Sequence, residues 1–214
     1  MDLLARMRRE YERGALDEAE VATDPFNQFA LWFGEATEIS AGEANAMTVA
    51  TVDASGGPSA RTVLLKSLDS TGFIFFTNYD SAKGRDLAAN PRVALLFYWA
   101  PLERQVRING VAERIDAASS DAYFALRPRG SQIAAAASPQ SAVIPSRDWL
   151  AARLSAVGQE AAATDEVLRP PHWGGYRVVP NRFEFWQGRP NRLHDRLAYV
   201  RLADDQWRIE RLAP

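Results

Sequence analysis

The chain has 214 residues, of which 47% are hydrophobic and 24% are charged, and these proportions are typical of one globular domain. It contains no cysteine, which excludes a disulfide framework, a cysteine-ligated zinc site and a thiol nucleophile. The net charge of −2, the lack of a signal-peptide core and the lack of an apolar run of ~18 residues predict a cytoplasmic protein without nucleic-acid or membrane partners.

The N-terminal part of the chain predicts helices. Residues 1–22 are predicted to be a helical segment, with an amphipathic helix over residues 3–12. A second helix is expected to begin after Thr23 or Asp24, because Pro25 then falls in its first turn, where proline is well tolerated. We expect both helices to pack on the outside of a sheet.

The middle and the end of the chain predict strands. Residues 46–115 consist of short runs rich in Val, Thr, Ile and Phe between turn signals, which is typical of antiparallel hairpins. One helix is predicted to interrupt them over residues 81–89, and residues 174–212 return to strands. The pattern favours an α+β fold built on a β-barrel or a strongly bent sheet.

Between these two strand regions the sequence predicts helices over residues 117–126 and 147–162. The alanine-rich stretches 134–137 and 161–163 are expected to be loosely ordered. Because no repeat, linker or boundary is visible, we expect residues 1–214 to form a single domain.

The basic residues are unevenly chosen, since 23 of the 25 are arginine and only Lys66 and Lys83 are lysine. Lys66 ends the segment Arg61-Thr-Val-Leu-Leu-Lys66, a predicted strand with a cation at each end. Because side chains alternate along a strand, Arg61 and Lys66 would lie on opposite faces. Both can serve one ligand only if the strand bends, or if the ligand lies across a strand end at a subunit interface. The alternative is two solvated charges at a sheet edge.

Lys83 lies where a predicted strand passes into a predicted helix. Free backbone N–H groups at a helix start, together with a lysine, can bind a phosphate. The alternative is ordinary capping of the helix by Asp80 or Ser81, which needs no ligand.

A second group of polar residues surrounds the end of the helix predicted over residues 117–126. Tyr123 and Arg127 are four residues apart and would share a helix face, and Ser131 follows closely. A phenol, a guanidinium and a hydroxyl together predict a phosphate-binding group. The alternative is a set of cations attracted by the helix dipole.

The only two histidines are His172 and His194. His172 stands beside two prolines and indicates loop packing. His194 is two residues from Arg192, so the two would share a face if the segment is a strand. No Walker loop, glycine-rich dinucleotide turn, Gly-x-Ser-x-Gly elbow or metal-ligand motif is present, and no metal site is predicted.

Eight segments, taken in order, resemble the pyridoxamine 5'-phosphate oxidase family nearly from end to end. They are Met7-Arg-Arg-Glu-Tyr11, Arg61-Thr-Val-Leu-Leu-Lys66, Phe76-Thr-Asn-Tyr-Asp-Ser-Ala-Lys83, Leu102-Glu-Arg-Gln-Val106, Arg127-Pro-Arg-Gly-Ser-Gln132, Trp173-Gly-Gly-Tyr-Arg177, Glu184-Phe-Trp-Gln-Gly188 and Arg192-Leu-His-Asp-Arg196. The resemblance implies a six-stranded antiparallel split β-barrel with peripheral helices. It also implies a homodimer with FMN sites at the subunit interface.

The resemblance implies the site residues by position. FMN would contact Arg61, Thr62, Val63, Leu64, Lys66, Phe76, Thr77, Lys83, Gln105, Gln140, Ser141, Trp186 and Arg196. The substrate would contact Arg8, Tyr11, Lys66, Tyr123, Arg127, Ser131, Arg192 and His194, with the N-terminal segment as a lid. Arg192 and His194 would be the catalytic residues, acting first by positioning.

The implied reaction oxidises pyridoxamine or pyridoxine 5'-phosphate to pyridoxal 5'-phosphate. A hydride would pass from C4' to the flavin N5, and oxygen would then accept the electrons and give hydrogen peroxide. This chemistry belongs to vitamin B6 synthesis and salvage.

The sequence departs from the family pattern at Ala134 and Ala136, where a glycine and a tryptophan are usual, and at Ala82, where arginine is common. Two other functions stay open. One is the related flavin oxidase of phenazine biosynthesis, which acts on a tricyclic substrate. The other is a non-catalytic carrier of FMN or pyridoxal phosphate.

Overall fold

The computed structural model describes residues 10–39, 42–164 and 166–214. Nine strands form one sheet. They are β1 (Ala46–Val52), β2 (Pro58–Leu64), β3 (Ser67–Asp69), β4 (Gly72–Asn78), β5 (Arg92–Trp99), β6 (Arg104–Arg114), β7 (Trp173–Gln187), β8 (Asp195–Arg201) and β9 (Trp207–Arg211). The helices among the described residues are α1 (Pro25–Ile39), α2 (Ala82–Ala89), α3 (Ala117–Ala125), α4 (Arg129–Ala137) and α5 (Arg147–Thr164).

The sheet is antiparallel in every pairing, in the order β2-β1-β5-β6-β7-β4-β3. β7 is the longest strand: its first part pairs with β4, its last part pairs with β8, and β9 pairs with β8. The predicted antiparallel split-barrel class with outer helices is confirmed. The strand number is nine rather than six, because short β3 and the β8–β9 hairpin extend the sheet.

The pairing of β6 with β7 shifts by one residue between Asn109 and Gly110, because Asn181 in the middle of β7 is an extra, bulged residue. A Cβ on Gly110 would lie 2.3 Å from the Val179 carbonyl oxygen, so the two backbones approach there as only glycine allows. The bulge lies near the point where the other edge of β7 changes partner from β4 to β8.

The core lies between α1 and the sheet. Asp24 caps α1 by accepting hydrogen bonds from the backbone N–H groups of Phe26 and Asn27, and the predicted start of this helix is confirmed. Phe29 is fully buried, with its ring centre 5.0 Å from that of Phe73 and 4.9 Å from that of Phe97. Edge-to-face contacts of this kind add to the burial of large apolar side chains.

The alanine-rich segments are helical, so the expected loose order of residues 134–137 and 161–163 was wrong. Alanine has the highest helix propensity, and its small side chain lets two helices approach closely. Ala137 and Ala161 are buried. Arg153 donates to the Ala137 carbonyl and Arg129 donates to the Ala161 carbonyl, which ties α4 to α5.

The predicted N-terminal helix lies largely outside the described residues. Over residues 10–22 the chain contains no helix, so the expected helical segment is not found in this part. The helices predicted over 81–89, 117–126 and 147–162 are confirmed as α2, α3 and α5. Among the described residues, no helix combines the length and apolar composition needed to cross a membrane.

Candidate functional site

A cavity of about 480 Å³ opens between β2, β4 and the helices α3 and α4. Most of the predicted FMN and phosphate contacts from the first two thirds of the chain line it. Its lining residues are Arg61, Thr62, Val63, Leu64, Lys66, Phe76, Thr77, Asn78, Lys83, Tyr123, Arg127, Ala134, Ala135, Ser138, Gln140 and Trp173. Both lysines of the chain therefore face the same space.

Arg61 and Lys66 reach one cavity because the strand does not continue between them. β2 ends at Leu64, and the backbone N–H of Lys66 then donates to the Ile74 carbonyl of β4 at 2.8 Å. The chain thus turns from one strand pair to another before Lys66. Arg61 and Lys66, which would lie on opposite faces of one continuous strand, therefore reach the same cavity within a single protomer.

Lys83 is a buried cation, with 9% of its surface exposed. Its Nζ donates to Thr77 Oγ1 at 3.0 Å, Gln140 Oε1 at 3.1 Å and Ser81 Oγ at 3.4 Å. Burial is the main cause that lowers the pKa of Lys83, and the nearby Arg61 lowers it further, while Asp86 opposes both. The hydrogen-bonding partners of Lys83 among the described residues are all neutral, which suits an added anion.

Ser81 provides the helix cap that the sequence left as an alternative, because its side chain accepts from the Gly84 N–H. The same serine is fully buried and touches Lys83. Capping and anion binding are therefore compatible at the start of α2 rather than exclusive.

Three aromatic rings of the cavity lining stack on one another. The centre of Phe76 lies 3.8 Å from that of Tyr123 and 5.4 Å from that of Trp173, with interplanar angles of 12° in both pairs. The Arg127 guanidinium lies 4.6 Å from the centre of the Trp173 ring. Arg127 follows the end of α3 rather than lying within the helix, although it still lines the cavity with Tyr123.

Arg127 Nη1 is buried and has no hydrogen-bond partner among the described residues. Burial lowers the pKa of this guanidinium, which nevertheless stays charged because arginine titrates so far above neutrality. An unpartnered buried donor is costly unless a ligand completes it. Arg127 is thus prepared for an anionic or strongly accepting group.

The remaining predicted contacts of β6, β7 and β8 lie elsewhere. We call Tyr11, Trp186, His194 and Arg196 the C-terminal cluster. The Tyr11 ring packs edge-on against Trp186 at 5.7 Å and His194 at 5.8 Å, and the rings of Trp186 and His194 lie 4.6 Å apart. Gln105 lies beside this group, directly opposite Trp186 in the sheet.

Arg192 and His194 do not lie on a strand, so the condition under which they would share a strand face is not met. Arg192 ends a short 3-10 turn with φ of 61°, next to Asn191 with φ of 57°, and β8 begins only at Asp195. Left-handed backbone at two adjacent non-glycine residues is unusual, and it concentrates at functional sites. Arg192 is exposed on this turn.

His194 Nδ1 accepts a hydrogen bond from the backbone N–H of Arg189 at 3.1 Å. Burial, and then the charge of Arg192, lower the pKa of His194. Both observations favour the neutral imidazole with its proton on Nε2. His194 is therefore set up as a donor through Nε2 at neutral pH.

Arg196 is held by a buried carboxylate. Its Nε and Nη2 donate to Glu184 Oε1 at 3.1 and 2.9 Å, and its Nη1 donates to the Ala213 carbonyl at 2.8 Å. Glu184 also accepts from Arg107 at 3.2 Å. No function was predicted for Glu184 from the sequence beyond its place in a family segment.

Two other predicted contacts do not line the cavity: Ser131 lies half-buried in the first turn of α4, and Ser141 lies exposed in the following loop with φ of 72°. A third predicted contact, Arg8, lies outside the described residues. Conversely, no role was predicted from the sequence for Trp173, whose ring packs against the Arg127 guanidinium. Its position within one of the eight family segments was the signal that could have found it.

Trp173 begins β7 and Trp186 nearly ends it, 13 residues further along. At about 3.3 Å per residue this is roughly 40 Å along the strand. The cavity and the C-terminal cluster of one protomer are thus separate groups of residues within the described chain.

Two family models match this sequence. One, described as pyridoxamine 5'-phosphate oxidase, matches residues 35–160, and the other, described as the pyridoxine 5'-phosphate oxidase C-terminal dimerisation region, matches residues 173–214. The chain belongs to the pyridoxamine 5'-phosphate oxidase family. The family's FMN-binding oxidoreductase character fits the cavity, and the dimerisation region supports a homodimer.

Curated relatives in the pyridoxamine 5'-phosphate oxidase family match the whole chain. The pyridoxine/pyridoxamine 5'-phosphate oxidase of Burkholderia lata is 59% identical over 216 residues, and that of Ralstonia pickettii is 56% identical over 214 residues. Each alignment covers 100% of both chains.

Two solved structures share the fold. PhzG from Burkholderia lata, crystallised with tetrahydrophenazine-1-carboxylic acid, has a TM-score of 0.86 at 30% identity, over 94% of this chain and 98% of that one. A pyridoxamine 5'-phosphate oxidase-related FMN-binding protein from Nostoc punctiforme has a TM-score of 0.70 at 18% identity, over 93% and 98% of the two chains. The second likeness concerns the fold alone.

Proposed function

We propose that the protein is an FMN-dependent oxidase that converts pyridoxamine 5'-phosphate and pyridoxine 5'-phosphate to pyridoxal 5'-phosphate. One observation carries the proposal. The cavity has two separately built cationic positions, Lys83 with neutral hydrogen-bond partners and Arg127 with an unpartnered Nη1. Two positions of this kind suit two phosphates, one on the cofactor and one on the substrate.

The fit to FMN rests on the first position. Arg61 and Lys83 are close enough for the charge of one to lower the pKa of the other, and a bound phosphate would relieve that repulsion. Thr77 and Gln140 add neutral contacts beside Lys83. When bound, FMN supplies the two-electron acceptor that no side chain of this protein provides.

The second position suits the substrate phosphate. Lys66 and Arg127 supply charge and Tyr123 supplies a hydroxyl, all on the lining of the same cavity. The stack of Phe76, Tyr123 and Trp173 fixes the walls around them. These residues bind and orient the substrate, so its reacting atoms are held close to a reactive geometry.

The C-terminal cluster would complete the site from the other protomer. Arg192 and His194 follow the end of β7 that is opposite to Trp173 and the cavity, and a twofold dimer can bring them to the partner's cavity. There Arg192 would stabilise negative charge on the substrate, and His194 would donate through Nε2. Tyr11, packed on both Trp186 and His194, would exclude water.

A second candidate is an oxidase of a phenazine precursor, because PhzG shares the fold with a TM-score of 0.86. Sequence identity favours the first candidate. In the same species, Burkholderia lata, the pyridoxine/pyridoxamine phosphate oxidase is 59% identical to this chain and PhzG is 30% identical.

The test is aerobic turnover by the purified protein after its visible spectrum has been recorded. We expect a flavin spectrum, formation of pyridoxal 5'-phosphate from either phosphorylated vitamer, and an equal amount of hydrogen peroxide. A flavin spectrum with turnover of tetrahydrophenazine-1-carboxylic acid alone would replace this substrate with the second candidate. Failure to bind FMN would overturn the cofactor assignment as well.

A further inference from the structure

Two residues behind the cavity wall hold Arg61 in place. Thr51 on β1 is 1% exposed, and its Oγ1 accepts from Arg61 Nη1 at 2.5 Å while donating to Asp86 Oδ2 at 2.6 Å. A hydroxyl has one proton to donate, so the carboxylate of Asp86 fixes its direction and leaves its lone pairs for the guanidinium. Neither Thr51 nor Asp86 lines the cavity.

The sheet register explains why Thr51 can do this. Arg61 lies opposite Val49, and Ser59 lies opposite Thr51, so the Arg61 side chain extends along the same face of the β1–β2 pair. Its Nη2 donates to Ser59 Oγ at 2.5 Å, and its Nη1 also lies 3.4 Å from the Val49 carbonyl oxygen. The guanidinium is therefore anchored from β1 and from its own strand.

Asp86 joins this anchor to α2. Its Oδ2 lies 3.7 Å from Arg61 Nη2, and it stands three residues after Lys83, on the same side of the helix. The carboxylate thus faces both cations of the first cationic position. Its charge favours the protonated form of Lys83, against the burial and the Arg61 charge that disfavour it.

We propose that Thr51 and Asp86 are positioning residues for the flavin phosphate, which they serve by holding the Arg61 guanidinium in its binding orientation before the ligand arrives. The inference rests on the proposed FMN site. A free arginine side chain loses conformational freedom when it binds an anion, and an anchored one has lost that freedom already. The ion pair with Asp86 and the threonine hydroxyl hold the guanidinium from two sides.

The experiment compares the FMN affinity of the full-length apoprotein with those of two substitutions at one position. Thr51→Val keeps the shape but removes the hydroxyl, and Thr51→Ser keeps the hydroxyl. Quenching of FMN fluorescence gives the dissociation constant without any turnover. We expect Thr51→Val to raise it ~10-fold and Thr51→Ser to raise it no more than ~3-fold.

Thr51 is buried, so its substitutions could weaken FMN binding by disturbing the fold. A variant at an exposed position is therefore the control. Ser59→Ala removes a second side-chain hydrogen bond of the guanidinium at an exposed position, and we expect it to weaken FMN binding ~3-fold at an unchanged melting temperature. The inference is overturned if Thr51→Ser binds as weakly as Thr51→Val, or if neither Thr51→Val nor Ser59→Ala weakens binding. If the unaltered protein does not bind FMN, the proposed function itself fails.

Discussion

In the cavity, Lys83 and Arg127 contact neutral groups and aromatic rings, whereas in the C-terminal cluster Arg196 is already paired with the buried carboxylate of Glu184. The two regions therefore use positive charge differently. In the cavity, Lys83 and Arg127 have no hydrogen bond to a carboxylate among the described residues, which leaves them available to an anionic ligand. In the C-terminal cluster the charge of Arg196 is already balanced by Glu184, and the pair fixes the orientation of the neighbouring side chains. This arrangement suits a surface that contacts another molecule.

The difference can be tested most strongly at Arg192. We expect Arg192→Ala to lower turnover ~10²–10³-fold, because a charged donor to the developing negative charge is lost. FMN affinity should change little, since the cavity holds the cofactor. Because Arg192 has φ of 61°, Arg192→Asn is the control that tolerates this backbone. Steady-state kinetics and fluorescence titration of both variants give the two values, and equal loss of turnover and FMN would contradict the division.

Hybrid dimers test whether the two regions of different protomers meet. We would mix Lys66→Ala and Arg192→Ala protomers after reversible dissociation and assay them at a substrate concentration well below KM. Under that condition Lys66→Ala alone should keep about a tenth of the unaltered activity, and Arg192→Ala far less. If a site combines Lys66 of one protomer with Arg192 of the other, each hybrid dimer has one intact site, and activity should recover to about a quarter of the unaltered value. No recovery, with hybrid formation shown by differently tagged protomers, would place both residues in the same protomer's site.

The substrate side of the cavity predicts a smaller effect. Lys66→Ala should raise KM for pyridoxamine 5'-phosphate ~10-fold, with less change in kcat, because a charged contact to the phosphate is lost. The matched control is Lys66→Arg, which keeps the charge. Initial rates over a range of substrate concentrations separate the two constants, and an unchanged KM would remove Lys66 from the phosphate site.

The smallest effect concerns pH. FMN binding needs protonated Lys83, so affinity should fall as pH rises through the pKa of Lys83. Burial and Arg61 lower that pKa, so the fall should begin below the range of an exposed lysine, which titrates near ~10.4. Lys83→Arg stays charged and should give a flat profile. Fluorescence titrations from neutral pH to about pH 10 would show this, and identical profiles would exclude titration of Lys83 as the cause.

Much of the fold could be predicted because its signals are local. Asp24 and Pro25 determine the start of α1, and the turn residues between apolar runs determine the hairpins. Lys66 and Lys83 stood out by composition, and both line the cavity. The site residues that the sequence identified are those whose chemistry is unusual for this chain.

What could not be predicted depends on contacts between distant segments. The helix α4 was missed because alanines carry no periodic pattern, and its order comes from packing against α5. The turn at Arg192 could not be predicted, because left-handed backbone at arginine has no sequence signal. Thr51 and Asp86 lie 35 residues apart, and only the approach of α2 to β1 makes them a pair.

The strand β7 also determines which parts of the chain can change length in evolution. It pairs with β6 along one edge and with β4 and then β8 along the other, and it separates Trp173 from Trp186. An insertion of one residue there would turn every later side chain to the opposite face of the sheet. We therefore expect insertions and deletions among homologues to be absent from β7 and to collect in exposed loops, such as the turn between β8 and β9.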